Sequence, residues 1–219
     1  MEKRQKEAAK LDAIIQKLIK KIDADPYDEE SYYALGVALT EKKSFEQAEE
    51  LFKRALNALK EQPQKLGLLH YGLGNVYYAS ALYDEALKEF SLVKDDKLKA
   101  EAYLMLAQTY YAKGEHQKAL AFALTADESK ASFETKRLLG DCLLAVGSFE
   151  KARQMYEQAL SFKAGDANVN FQLGVLAVVL GADPKVYFER AKQADPKLYE
   201  RLQTRLGDIE KLLQNKKKQ

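Results

Sequence analysis

Tryptophan is absent from the 219 residues, cysteine occurs once, histidine twice and proline four times. Each shortage excludes something. With Cys142 alone an intramolecular disulfide cannot form, which suits a reducing compartment. Two imidazoles, His70 and His116, and a single thiol are thin material for a nucleophile, a base and an orienting group. No His/Cys pair stands at metal-ligand spacing, and the acidic residues are scattered among lysines. The longest apolar run, VLAVVLGA from Val175 to Ala182, falls far short of the roughly 20 residues of a membrane-spanning helix. The opening MEKRQKEAAKLDAIIQKL has neither the apolar core nor the cleavage site of a secretory signal. Lysine plus arginine (35) nearly balances aspartate plus glutamate (33), with the charges interspersed, so net charge shows no phosphate-seeking surface. Together these absences predict a cytoplasmic protein that is not an enzyme, with no catalytic set, no cofactor, no metal and no membrane anchor.

What is present favours helix. Ala, Leu, Glu and Lys are abundant, and apolar residues recur at spacings of three and four with no long strand-like alternation. A longer period lies above this one. The small residues Gly36, Gly74, Ala107, Gly140 and Gly174 each follow a leucine, and are separated by 38, 33, 33 and 34 residues. Twelve residues after the first four stand Ala48, Ala86, Ala119 and Ala152. Four further on come Phe52, Phe90, Ala123 and Tyr156, and three beyond those Ala55, Val93, Ala126 and Ala159. Small residues on paired helices allow close approach, and large ones fill the space around the contact. The YGLGNVYY stretch at 71–78 therefore reads as helix packing; it lacks the third glycine and the flanking strand of a phosphate loop. Gly72 has no packing reason at this level.

This pattern resembles the tetratricopeptide repeat, a helix-turn-helix unit of about 34 residues with Trp-x-x-Leu-Gly-x-x-Tyr and Ala-x-x-x-Phe signatures. The best unit is LLGDCLLAVGSFEKARQMYEQAL, in which Leu139, Gly140, Gly147, Phe149, Ala152, Tyr156 and Ala159 fall in family positions. The family's tryptophan is replaced by Tyr32, His70, Tyr103, Lys136 and Asn170. The resemblance implies an all-α, helical-hairpin solenoid, a right-handed superhelix with extra N- and C-terminal helices, of bacterial type. The expected division is a capping helix at 1–26, repeats at 27–65, 66–98, 99–131 and 132–165, a degenerate repeat at 166–196, and a terminal helix with a basic tail at 197–219. Four extra residues around NALKEQPQK are expected to extend the first unit's second helix or its loop. In the third unit, Phe122 stands one residue before the expected aromatic position, Ala123. Matching VYFERAKQADP to the fifth unit's second helix requires deleting two residues.

The family's ligand groove implies a stripe beside the packing stripe of each first helix. Here it comprises Tyr33, Val37 and Thr40; Tyr71, Asn75 and Tyr78; Leu104, Gln108 and Tyr111; Arg137, Asp141 and Leu144; Phe171, Val175 and Val178. Tyrosine and aliphatic side chains dominate, a composition that suits binding hot spots. Glu30, Glu41, Glu101, Glu134 and Asp141 against Arg137 make the rim acidic. Of the carboxylate-clamp residues known in the family only Asn75 is kept. The expected partner is a protein or peptide segment, extended or helical, apolar or aromatic and basic. A nucleic-acid-associated repeat is the alternative, disfavoured because a backbone-tracking groove should be positive, and a sensor of a small signalling peptide is another. Self-association through the fifth unit, giving a homo-oligomer, is compatible with each.

Overall fold

The computed structural model describes residues 2–204. They are helical throughout apart from turns, and fall into two compact units, Met1–Ala126 and Asp127–Gln219. The first unit begins with α1 (Glu2–Ala24) and continues through the hairpins α2 (Glu29–Glu41) with α3 (Phe45–Ala58), α4 (Pro63–Ala79) with α5 (Tyr83–Ser91), and α6 (Lys99–Ala112) with α7 (His116–Ser129), whose last residues enter the second unit. The second unit holds α8 (Phe133–Ala145) with α9 (Phe149–Phe162), α10 (Ala167–Val179) with α11 (Lys185–Ala194), and a helical segment at 196–204. The chain is thus all-α, built of helical hairpins with additional helices before and after them. Most of the expected terminal stripe, Leu206, Ile209 and Leu213, and the tail after it lie outside the described residues.

Short-range chemistry starts several of these helices. Asp28 caps α2, accepting from the N–H groups of Glu30 and Ser31 at 3.1 and 3.3 Å. Ser132 and Thr135 form a reciprocal capping box on α8, and Asp166 accepts from the N–H of Val169 at the start of α10. The first helix earns its place through an apolar stripe: Ile15 is buried, with Leu11, Leu18 and Ile22 beside it, against Leu35 and Ala38 of α2.

Each hairpin turns on the same device. Seven residues after each anchor position, Lys43, Ala81, Gly114, Gly147 and Gly181 all have a positive φ. The residue after each sends its N–H back to the last turn of the helix, for example Leu82 to the Tyr77 carbonyl at 2.8 Å and Ser148 to that of Leu143 at 2.8 Å. This is the Schellman closure, in which a left-handed residue lets the last carbonyls of the helix be satisfied. Glycine adopts that conformation freely, whereas a Cβ there costs about 1–2 kcal/mol. Ala81, at φ 61°, carries that cost. Ala81→Gly is expected to raise stability by about 1 kcal/mol, after allowing for glycine's greater freedom when unfolded, read as an increase in urea midpoint at unchanged slope.

The anchor glycines answer to aromatic rings sixteen residues later. A Cβ added at Gly36 would lie 2.2 Å from the Phe52 ring, at Gly74 2.6 Å from Phe90, and at Gly140 2.5 Å from Tyr156. Each ring therefore occupies the space a Cβ would take, close against bare helix backbone. In the third hairpin both partners change together. Ala123 replaces the ring, Ala107 replaces the glycine, and both are fully buried. Phe122 packs instead on the side, stacking on Tyr110 at 5.3 Å between centroids. In the fifth hairpin Phe188 fills the wedge against Gly174, where a Cβ would meet it at 2.5 Å, and Ala191 is fully buried beyond it. The two-residue deletion in the sequence thus leaves the packing contact in place.

Gly72 now has its reason. A Cβ there would meet the Phe52 ring at 2.4 Å and Tyr33 at 3.1 Å. Phe52 is held between Gly36 of its own hairpin and Gly72 of the next, and is 0% exposed. The four extra residues fall elsewhere than expected: α3 ends at Ala58, and α4 begins at Pro63 and runs for 17 residues where α2 has 13. Proline at the first helical position lacks only an N–H that would have no intrahelical partner, so it starts the helix a turn early.

Candidate functional site

In the first unit α2, α4 and α6 contribute Tyr33 and Val37, Tyr71, Asn75 and Tyr78, and Leu104, Gln108 and Tyr111. Val37 is 37% exposed and the others are half-buried. The tyrosines are braced by other rings. Tyr71 lies 6.3 Å from Tyr33 and 5.9 Å from Phe90 between centroids, and Tyr78 lies 5.8 Å from Tyr83. Tyr111 rests 5.0 Å from the His116 ring. Burial pushes the Tyr33 and Tyr71 hydroxyls above the usual tyrosine range; at Tyr71 a hydrogen bond with the Asn75 side chain works the other way, and the nearby Glu101 charge adds to the rise. These hydroxyls stay protonated at neutral pH, giving polar tips on rigid apolar rings. Thr40 turns its hydroxyl to the Gly36 carbonyl, 2.7 Å away. Glu30 and Glu41 are exposed.

The second unit treats its stripe differently. Arg137 and Asp141 pair with each other at 2.9 Å, one helical turn apart. Tyr156, the aromatic wedge of α9, donates its hydroxyl to the other oxygen of Asp141 at 2.7 Å. Leu144 and Val175 are half-buried, and Val178 is 59% exposed. Phe171 offers no such surface: it is 3% exposed, against Phe188 at 5.4 Å and Tyr199 of the 196–204 segment at 5.8 Å. The sequence stripe captured the position of Phe171 on its helix but held no signal that Tyr199 would cover it. Glu134 is exposed near the start of α8.

Asp141 sets an electrostatic balance. Burial pushes its carboxyl above the usual aspartate value, opposed by the Tyr156 hydrogen bond and then by the Arg137 charge. A raised carboxyl favours folding below the ordinary aspartate pKa, and that contribution is lost as pH rises through the raised value. Tyr156→Phe removes the stronger opposing contact. The Asp141 pKa should climb further and the loss of stability extend to higher pH, measured by carboxyl-carbon NMR titration of the full chain alongside urea unfolding.

The positions of the family's tryptophan carry structural roles. Tyr32 is buried, Tyr103 lies 6.3 Å from Phe122, and His70 Nδ1 is 2.7 Å from a Glu89 carboxylate oxygen. Lys136 meets Asp127 at 2.7 Å. Asn170, fully buried, donates to the carbonyls of Asp166 and Ala164 at 2.8 and 3.1 Å, fastening the turn before α10. Cys142 is 0% exposed and burial pushes its thiol up to about 12, which removes the thiolate that nucleophilic chemistry requires. Among the described residues no group of three or more His, Cys, Asp or Glu side chains is placed to hold a metal ion. Among them, no helix is long and apolar enough to cross a membrane.

Helical hairpins closed by a left-handed turn and wedged by a ring on a glycine, bearing a face of braced tyrosines, define a helical-repeat protein of the protein-interaction class. Two family models agree, Tetratricopeptide repeat at residues 29–58 and Tetratricopeptide repeat-like domain at 91–178. The chain belongs to the tetratricopeptide-repeat family. Its fold is similar to that of the pilF protein of Pseudomonas aeruginosa, with a TM-score of 0.71 at 18% identity over 89% of this chain and 97% of that one. It is also similar to BtubC from P. vanneervenii, with a TM-score of 0.67 at 16% identity over 93% and 92%. YrrB, described as a TPR protein with an unusual peptide-binding site, gives 0.63 at 20% identity over 85% and 97%. No curated protein sequence matches the chain. The general role is that of the family, a protein–protein interaction scaffold.

Proposed function

We propose that the first-helix face of the first unit binds a segment of a partner protein, extended or helical, with apolar or aromatic side chains and basic character. The observation that carries this reading is the row of tyrosines on α2, α4 and α6, whose rings are braced before any ligand arrives. Tyr33, Tyr71, Tyr78 and Tyr111 each rest on another ring, so little side-chain freedom remains to be lost on binding. Glu30, Glu41 and Glu101 favour a cationic segment over an anionic one. The peptide-binding site ascribed to YrrB supports the same class of ligand.

The test is a peptide array probed with the wild-type chain and with the Tyr71→Ala/Tyr78→Ala double variant, each checked for helicity by circular dichroism. Aromatic basic peptides should be retained, and the double variant should lose affinity by about tenfold or more, as removal of two hot-spot rings does. Retention of acidic-tailed peptides in place of basic ones would sink the charge assignment. Unchanged retention by a folded double variant would sink the site.

A further inference from the structure

In the second unit the helical segment at 196–204 lies over the start of the α10 stripe. Leu198, Tyr199 and Leu202 share one side of the segment and are half-buried, while Pro196, Lys197, Glu200, Arg201, Gln203 and Thr204 are exposed. Tyr199 sets its ring edge-on to two others, 5.8 Å from Phe171 at 74° and 6.1 Å from Phe188 at 70°. Phe171 and Phe188 are themselves 5.4 Å apart, so the three rings form one cluster held by the edge-to-face preference of aromatic pairs.

This cover is thinly attached. Among the described residues its hydrogen bonds reach back no further than Asp195, which accepts from the N–H groups of Leu198 and Tyr199 at 3.0 Å each. Thr204 turns its hydroxyl to the Glu200 carbonyl at 2.9 Å, within the segment itself. Lys197, Glu200 and Arg201 enter no ion pair among the described residues. Three half-buried apolar side chains thus offset the ordering of the whole segment, which puts it among the parts of a fold that open most readily. The apolar row beneath it is longer than the cover. Phe171, Val175 and Val178 stand at i, i+4 and i+7 on α10, and exposure rises from 3% at Phe171 to 59% at Val178. An incoming helix that placed a ring where Tyr199 sits and aliphatic side chains along the row would bury Val178 as well, so the exchange gains apolar contact.

We propose that residues 196–204 are an internal occupant of a docking site on α10, and that an amphipathic segment of a partner protein, bearing an aromatic ring followed by aliphatic side chains, takes the place of Tyr199 against Phe171 and Phe188. A partner binds here by displacing the segment, so the site is closed until a ligand able to cover the full row competes for it. It is separate from the tyrosine face of the first unit and does not depend on it.

The test is a competition between tethered and added segment, read by amide NMR of the full chain. The probe is a synthetic peptide of the segment's own sequence, PKLYERLQT, which carries the same ring. Added to the Tyr199→Ala variant, it should shift Phe171, Val175 and Phe188 saturably. In the wild-type chain the tethered ring competes at high effective concentration, and the apparent affinity should be weaker by about tenfold or more. The same peptide with alanine in place of tyrosine should give no saturable shift at these residues in either chain. In the wild-type chain the amides of 200–204 should also exchange with solvent about tenfold faster, or more, than those of 173–178 in α10. The proposal is overturned if the peptide leaves these residues unshifted in Tyr199→Ala, if it binds variant and wild type equally, or if the alanine peptide binds as well. Protection of 200–204 equal to that of α10 overturns it too, since the segment would then be a fixed part of the core. Saturable shifts at Tyr71 and Tyr78 with none at Phe171 likewise overturn it, and bear on the tyrosine face alone.

Discussion

Phe52→Ala is expected to cost about 3–5 kcal/mol, the range for removing a large buried side chain and leaving a cavity that its surroundings fill only in part. Collapse is hindered here because the ring is fully buried and is bounded by helix backbone on two sides, at Gly36 and at Gly72. The glycines give the prediction a sharper form. In the wild-type background Gly36→Ala drives a methyl into the ring, an overpacking cost of about 1–3 kcal/mol that exceeds the helix-propensity gain of about 1 kcal/mol. In the Phe52→Ala background the same methyl enters vacated space, and Gly36→Ala should become stabilising. A double-mutant cycle by urea unfolding reads that change of sign as coupling. Additive effects would show that the wedge is not what requires the glycine. The third hairpin has already made the paired change, with Ala107 in place of the glycine and Ala123 in place of the ring, both fully buried.

Lys136→Ala should cost about 2–3 kcal/mol. Its ammonium and the Asp127 carboxylate lie 2.7 Å apart with side chains only 16% and 14% exposed, and removing one member of a buried pair leaves the other charge uncompensated. The figure is set below that for fully buried pairs because some solvent reaches both groups. Thr135 continues to donate to Asp127 at 2.8 Å, which limits the loss further. Replacing both members, Lys136→Met with Asp127→Leu, should recover most of the stability, because Thr135 can turn its hydroxyl to the Ser132 carbonyl at 3.1 Å and no charge remains to be solvated. Thermal unfolding of the two single variants and the double variant separates this from loss of packing: a double variant as unstable as the sum of the singles would show that the lysine stem, not the charge pair, matters.

The tyrosine face illustrates what a helical stripe can and cannot say. Its positions on α2, α4 and α6 follow from register, since residues three and four apart share a side of a helix. Whether a residue on that side meets solvent depends on what crosses over it. Phe171 occupies the corresponding position on α10, yet Phe188 and Tyr199 enclose it. Asp141 occupies one on α8, yet the Tyr156 hydroxyl and Arg137 engage its carboxylate. Phe188 and Tyr199 come from helical segments other than that of Phe171, and Tyr156 from the helix after that of Asp141, whereas Arg137 shares α8 and the stripe with Asp141.

The sequence by itself determined the hairpin period, because the first four units each place an alanine twelve positions after a small residue so that their two helices can touch, and three of them add a ring four positions further on. That constraint is local to some thirty residues and repeats along the chain. It also determined the turns, where glycine marks three of the five left-handed positions. Only the tertiary structure decided why Gly72 is a glycine, since the ring that requires it belongs to the preceding hairpin. It likewise placed the four extra residues at the start of α4, where Pro63 could begin a helix early. Contacts within a hairpin leave a periodic trace in sequence; contacts between hairpins depend on which surfaces meet, and leave none.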